Sequence, residues 1–226
     1  MTMHSSVHPA LLVLADGRFP AGGHAHSGGV EAAVRAGRVG DAASLEAFCA
    51  GRLHTVGLTN AALAASAAAG TDPLALDEAA EARTPSPVLR AASRRLGRQL
   101  LRAARAAWPD PALERLAAAC PAGAHQPVVL GVTAAAAGLG PADAATAVAY
   151  ETVSGPVTAC VRLLGLDPFQ ATAVLARLAH AVGEVADQAV TAGELGDVDL
   201  LPVLGAPLLE ISAEQHAAWP VRLFAS

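Results

Sequence analysis

Apolar residues recur along most of this chain at three- and four-residue spacings, and proline and glycine clusters break the pattern into helix-length pieces. A first apolar run, 11 to 14, ends at Asp16-Gly17 and gives way to a turn through Pro20-Ala21-Gly22-Gly23. Pro20 fixes φ and denies a donor, and Gly22 and Gly23 permit angles that other residues avoid. Ser27 reads as the N-cap of a short helix from Val30 to about Gly37, with Glu31 in its first turns. Asp41 opens a longer helix to about Ala69, with Leu45, Phe48, Leu53, Val56 and Leu63 inward, and Gly70-Thr71-Asp72-Pro73 stops it. A weaker helix spans 74 to about 82. The next spans 88 to 108, with Leu89, Leu96, Leu100 and Ala107 on its apolar face, and a short one runs from 111 to about 120. Pro127 serves as a first helical residue for a segment to Ala137, which leaves His125 beside that helix N-terminus with a ring acceptor for backbone amides. The central helix is 141 to 164, interrupted at Gly155-Pro156, where a lost hydrogen bond and a ring clash predict a bend near Ser154. Asp167 caps a helix to about Thr191, with Phe169, Val174, Leu178, Val182 and Val185 as its stripe. The pattern predicts an all-α, single-domain bundle of roughly eight to ten helices with a kinked central helix. Residues 1–8 are expected to form a flexible tail, and residues 9–226 the domain.

Composition sharpens this picture. Hydrophobic residues make up 53% of the 226 and aromatics only 3%. The apolar content is mostly Ala, Leu and Val, which favours closely approached helices over a sheet sandwich. No window has the length or hydropathy of a membrane span, and the N-terminus lacks a signal-peptide pattern. Cys49, Cys120 and Cys160 are far apart and odd in number, which predicts reduced, buried thiols in a cytoplasmic protein.

Every basic residue is arginine, so neither a P-loop lysine nor Schiff-base chemistry is available. The net charge of -5 argues against general nucleic-acid binding. No nucleophile elbow, C-x-x-C pair or dinucleotide turn appears. Arg90, Arg94, Arg98 and Arg102 recur every four residues and form a ridge, widened by Arg95 and Arg105. The ridge has three readings: a solvated face, an electropositive stripe for an acidic partner, or a DNA-contacting helix. A helical enzyme with a pocket around Tyr150 and His125 is a further alternative. Histidines offer little. His4 and His8 fall in the tail, and His54 and His180 read as packed. His24 and His26 form a close pair that would hold a borderline metal such as nickel only weakly and transiently, and a structural role for His26 is the stronger reading. Glu210, Glu214 and His216 lack metal-site spacing. Arg162, a charge within an apolar helix, is expected to pair with a carboxylate or helix-end carbonyls.

Four ordered segments carry a resemblance. The first is Asp16, Phe19-Pro20, Gly22, His26-Ser27, Gly29 and Glu31. The second is Ala92-Ser93-Arg94-Arg95-Leu96-Gly97-Arg98-Gln99-Leu100-Leu101. The third is His125-Gln126-Pro127-Val128 to Gly131, followed by Ser154, Ala159 and Val161-Arg162-Leu163 on the central helix. The last is Pro207 to Ser212 with His216 and Arg222-Leu223-Phe224. Together they resemble the UreF family of urease accessory proteins over about residues 11–226. Gly17, Gly28 and the Gly155-Pro156 pair depart from that family's usual pattern. The resemblance implies an all-α, cytoplasmic, non-catalytic chaperone or scaffold for nickel insertion into apo-urease. It implies partners: a UreD/UreH accessory protein, the UreG GTPase and apo-urease, with a homodimer inside the complex and no nucleic acid or membrane. It implies no cofactor of its own, nickel being cargo in transit. Candidate partner-binding residues are Pro20, Gly22, His26, Ser27, Glu31, Arg94, Arg98, His125, Ser154, Arg162, Gln170, His216, Arg222, Leu223 and Phe224. No catalytic or metal-ligating residue is assigned.

Overall fold

Proline and acidic or hydroxyl caps set most helix starts in the computed structural model, which describes residues 8–225. The residues 1–7 of the expected tail, with His4, and the terminal Ser226 lie outside the described residues. Asp72, Ser86, Asp110 and Asp167 each accept a first-turn amide, and each precedes a proline whose fixed φ suits the first helical position.

The described residues are all-helical, without strands. In order they form α1 (Pro9–Leu14), α2 (Val30–Arg35), α3 (Ala42–Arg52), α4 (Leu58–Ala68), α5 (Pro73–Ala82) and α6 (Pro87–Ala107). There follow α7 (Pro111–Ala119), α8 (Gln126–Ala136), α9 (Pro141–Leu164), α10 (Pro168–Gly193) and α11 (Pro207–Ala217). A π turn, Leu53–Gly57, joins α3 to α4 without a break, so residues 42–68 act as one rod. Counted that way the bundle has ten helices, in line with the expected class.

The core sits around α4, which packs against α8, α9 and α10, while α3 and α2 lie against the other half of α9. Ala61, Ala62, Ala64, Ala65 and Ala67 of α4 are all buried. Small side chains let helix axes approach closely. At the α8 crossing the approach is tight: a Cβ on Gly131 would lie 2.3 Å from the Ala64 carbonyl oxygen. Two apolar clusters result. One gathers α4, α5, α6, α7 and α8, and the other gathers α2, α3, the second half of α9 and the first two-thirds of α10.

α9 carries Pro156 within its length and stays helical on both sides of it. Some one-dimensional readings fail. Phe169 begins the expected apolar stripe of α10 but is 86% exposed, because it sits in the first turn beyond the reach of the core. His54 and His180, expected to be packed, are exposed. His54 lies on the outer side of the π turn, and His180 pairs with Glu184 one turn on, at 3.4 Å. Ala107 is also exposed. The buried face of α6 is Ala92, Gly97, Leu100, Leu101 and Ala104.

Candidate functional site

The opening motif folds as α1, an irregular loop and α2. Phe19 stacks on Trp108 with ring centroids 5.7 Å apart. Pro20 is exposed, and Gly22, at φ 82°, lies over Gln99 of α6. Ser27 is buried, and its hydroxyl accepts from the Glu31 amide at 3.4 Å, although Gly29 occupies the cap position itself.

The floor beneath this loop is α9. A proline has no N–H, so the carbonyl four residues earlier, that of Thr152, has no helical donor. Arg52, the last residue of α3, supplies one: its Nε–H donates to the Thr152 carbonyl at 3.3 Å. Its Nη1–H donates to the Gly28 carbonyl at 2.8 Å. Gly28 has φ 61°, and a Cβ there would lie 3.1 Å from Pro156 Cγ and 3.3 Å from Arg52 Cζ. Two of the three departures from that pattern, Gly28 and the proline of Gly155-Pro156, therefore meet each other, while Gly17 lies apart.

A cavity of about 200 Å³ lies beside this junction, lined by His26, Arg52, Gln126, Glu151, Pro156 and His216 among others. Burial pushes the Glu151 carboxyl above its ordinary pKa, against the opposing donation of Gln126 Nε2–H at 2.7 Å. Burial, reinforced by the positive charge of Arg95 and by His24, depresses His26 to about 4. His26 is therefore neutral near pH 7.

A second cluster joins the opening motif to the C-terminal one. Glu31 is 7% exposed and accepts from Leu223 N–H at 2.8 Å, Phe224 N–H at 3.1 Å and His216 Nε2–H at 2.8 Å. Burial raises its pKa, but these donors outweigh burial and leave it lowered. His216 packs on Trp219, whose ring carries the Arg35 guanidinium at 4.1 Å. Phe224 is buried in the chain's own core, whereas Leu223 is 62% exposed.

The third cluster absorbs part of the arginine ridge. Arg94 donates to Asp77 at 3.0 Å, to Glu81 at 2.8 Å and to the Gly123 carbonyl at 2.8 Å. Arg90 pairs with Glu81 at 2.7 Å, and Arg98 donates to the Ala122 carbonyl. His125 donates its backbone N–H to Asp77 at 2.6 Å. Burial lowers the His125 pKa, so the neutral ring donates Nε2–H to Glu81 at 2.9 Å. The ring thus faces α5, not the α8 amides it was expected to meet; it makes no cap bond there. Gly97 is the contact that lets α6 lie on this loop, since a Cβ would fall 2.0 Å from the Ala124 carbonyl oxygen.

The remaining candidates are dispersed. Ser154 is half-buried on α9, and Gln170 and Arg222 are exposed. Arg162 is exposed and sits over the Phe224 ring at 5.3 Å, a cation–π contact in place of the expected carboxylate or carbonyl pair. Glu210 and Glu214 cap α6 through Ser86 N–H and Val88 N–H, apart from His216. Among the described residues no group of three metal-ligating side chains gathers. Tyr150 is 39% exposed, and neither it nor His125 lines the cavity. Cys49 and Cys160 are buried free thiols pushed up by burial to about 12 and about 11. Among the described residues no helix is long and apolar enough to cross a membrane. Sequence reading missed Arg52, Glu151, Asp77 and Glu81. For Arg52 a signal existed, since an internal proline implies a carbonyl in need of a donor.

Comparison with known proteins bears on what this arrangement serves. A UreF family model matches residues 39–179. The chain is 44% identical over 220 residues to the urease accessory protein UreF of Mycolicibacterium vanbaalenii, covering 96% of this chain and 97% of that protein. It is 43% identical over 217 residues to the protein of the same name from Mycobacterium sp. (strain JLS), covering 96% and 97%. It is 43% identical over 209 residues to that of Mycobacterium tuberculosis H37Rv, covering 91% and 92%.

Proposed function

Because this chain belongs to the UreF family of urease accessory proteins, we propose that it is a non-catalytic scaffold for nickel insertion into apo-urease. In this reading it works as a homodimer in the cytoplasm, joined to a UreD/UreH accessory protein and the UreG GTPase, with nickel as cargo. The observation that carries the reading is the gathering of the family's separated motifs. The opening loop, α6, the start of α8, the proline turn of α9 and α11 all line one cavity. Glu31 then ties the first motif to the last.

The exposed members of these motifs are the partner surface in this proposal: Pro20 on the loop, Arg98 on α6, and Arg222 and Leu223 on the tail. The buried members, including Glu31, His125 and Phe224, hold that surface in shape. Arg94 belongs with them, since its donors are already turned toward Asp77, Glu81 and Gly123. The same engagement takes Arg90 and Arg94 out of the outward row that the DNA-binding alternative needs, while Arg95, Arg98, Arg102 and Arg105 stay exposed; the net charge of -5 is what argues against that alternative.

The test is affinity capture of the tagged chain from a urease-positive host, with and without nickel, beside a deletion strain assayed for urease in trace nickel. Capture of the GTPase and the second accessory protein, with loss of urease activity on deletion, is expected. Full urease activity in the deletion strain overturns the proposal.

A further inference from the structure

We infer that Arg52 is the positioning residue of the opening loop, and that the proline inside α9 is what makes its reach possible. The inference deepens the scaffold proposal, and rests on it, in one respect: it says how a loop read as partner surface is held.

Three observations converge on Arg52. First, Pro156 removes the one backbone donor that the Thr152 carbonyl would have in an α-helix. That carbonyl faces α3 and is met by Arg52 Nε. Second, the same guanidinium reaches the Gly28 carbonyl, so one rigid planar fork spans two chain segments. Third, Gly28 lies so close to the proline ring that a Cβ there would meet Pro156 Cγ at 3.1 Å, and its φ of 61° is one that a side chain would oppose. Loop, proline and arginine thus form one contact. Glu151 is near enough for its charge to favour that of Arg52, but the guanidinium N–H groups donate to the two carbonyls. Such a guanidinium holds backbone, and backbone position is what a recognition loop must preserve.

The design predicts that two effects of Arg52 separate. Arg52→Met orphans the Thr152 carbonyl and frees the loop. Adding Pro156→Ala returns an N–H to α9 and so satisfies Thr152, but it does nothing for Gly28. Hydrogen exchange by mass spectrometry and urea unfolding on the full chain read the two separately. In Arg52→Met, exchange at residues 22–30 is expected to rise at least about tenfold, from loss of a charged hydrogen bond, while α6 and α8 keep wild-type protection. The urea midpoint falls. In Arg52→Met with Pro156→Ala, much of the midpoint returns relative to Pro156→Ala alone, and the loop remains fast. Wild-type loop protection in Arg52→Met overturns the inference, and so does an equal midpoint loss in both backgrounds. Should Arg52→Met not fold, Arg52→Lys keeps the charge and stem but replaces the fork with a single ammonium. It is expected to loosen the loop, and wild-type protection there overturns the inference. Affinity capture from a urease-positive extract separates the two readings. A wild-type chain that captures neither accessory protein defeats the scaffold proposal, while exchange still judges Arg52.

Discussion

Replacing Glu31 with glutamine isolates the contact that fastens the C-terminal segment to α2. The carboxylate accepts three hydrogen bonds, two from the Leu223 and Phe224 amides and one from His216. Glutamine preserves shape, but one of its two terminal atoms becomes a donor and the charge is lost. In either amide orientation at least one donor meets another donor, and the remaining bonds fall from charged to neutral strength. Hydrogen bonds to charged groups contribute about 1.5–3 kcal/mol and neutral ones about 1, so the expected loss is about 2–3 kcal/mol. Phe224 still favours the bound state through its buried ring, so the segment loosens before the bundle unfolds. Exchange at residues 218–225 is expected to accelerate by roughly 30- to 150-fold, since about 1.4 kcal/mol is a factor of ten. Trp219 offers an optical readout in a Trp108→Phe background, because its ring lies against His216 and Arg35. Its emission should shift to the red. The pH dependence has a defined sign. Glu31 is held below its ordinary 4.5, so the unfolded chain takes up the proton first as pH falls. The stabilisation is complete above 4.5 and is lost as pH drops through the lower folded value. A Glu31→Gln chain with wild-type exchange and emission would refute the reasoning.

Two other perturbations follow from the geometry. His26 titrates at about 4 in the folded chain against an ordinary 6.5. The unfolded state therefore binds more protons in that window, and stability falls as pH is lowered through it. Urea midpoints across the range should show that slope, and His26→Asn should flatten it. Arg94→Met leaves Asp77 without its cation and Glu81 with Arg90 alone, at a cost of about 2–4 kcal/mol once the partial exposure of Glu81 is allowed for. A Tm lower by roughly 5–15 °C is expected, whereas Arg98→Met, which removes one carbonyl contact, should shift it by only a few degrees. Equal shifts would show that Arg94 is not the inward member of the ridge.

Much of the architecture was legible because the chain punctuates itself. Asp-Pro and Ser-Pro pairs mark helix starts, and the glycines at 37, 70, 138 and 165 mark ends, so existence and order of the helices could be read locally. Burial was less legible, since periodicity gives a face but not its limits. Phe169 continues the stripe of α10 in sequence and overshoots the core in space. The ridge shows the same difficulty more sharply. Spacing of four places Arg90, Arg94 and Arg98 on one side of α6, and nothing local reveals that Asp77 and Glu81 wait there on α5. The partners of the candidate site are likewise remote in sequence: Glu31 meets residues more than 180 positions on, and Arg52 meets Thr152. Family resemblance found the motif residues; only the fold could separate those that hold the loop from those left facing outward.

The π turn at Leu53–Gly57 carries a consequence of its own. Such a turn is a single extra residue accommodated in a helix, and each helical residue adds about 100° of rotation. It falls where α3, serving one apolar cluster, passes to α4, serving the other. Deleting one residue within it would let the turn close as ordinary α-helix and leave the alanine face of α4 toward α8, whereas a deletion in the regular turns on either side would swing that face by about 100°. The two half-cores thus keep their relative heading through a place in the rod that absorbs a change of one residue.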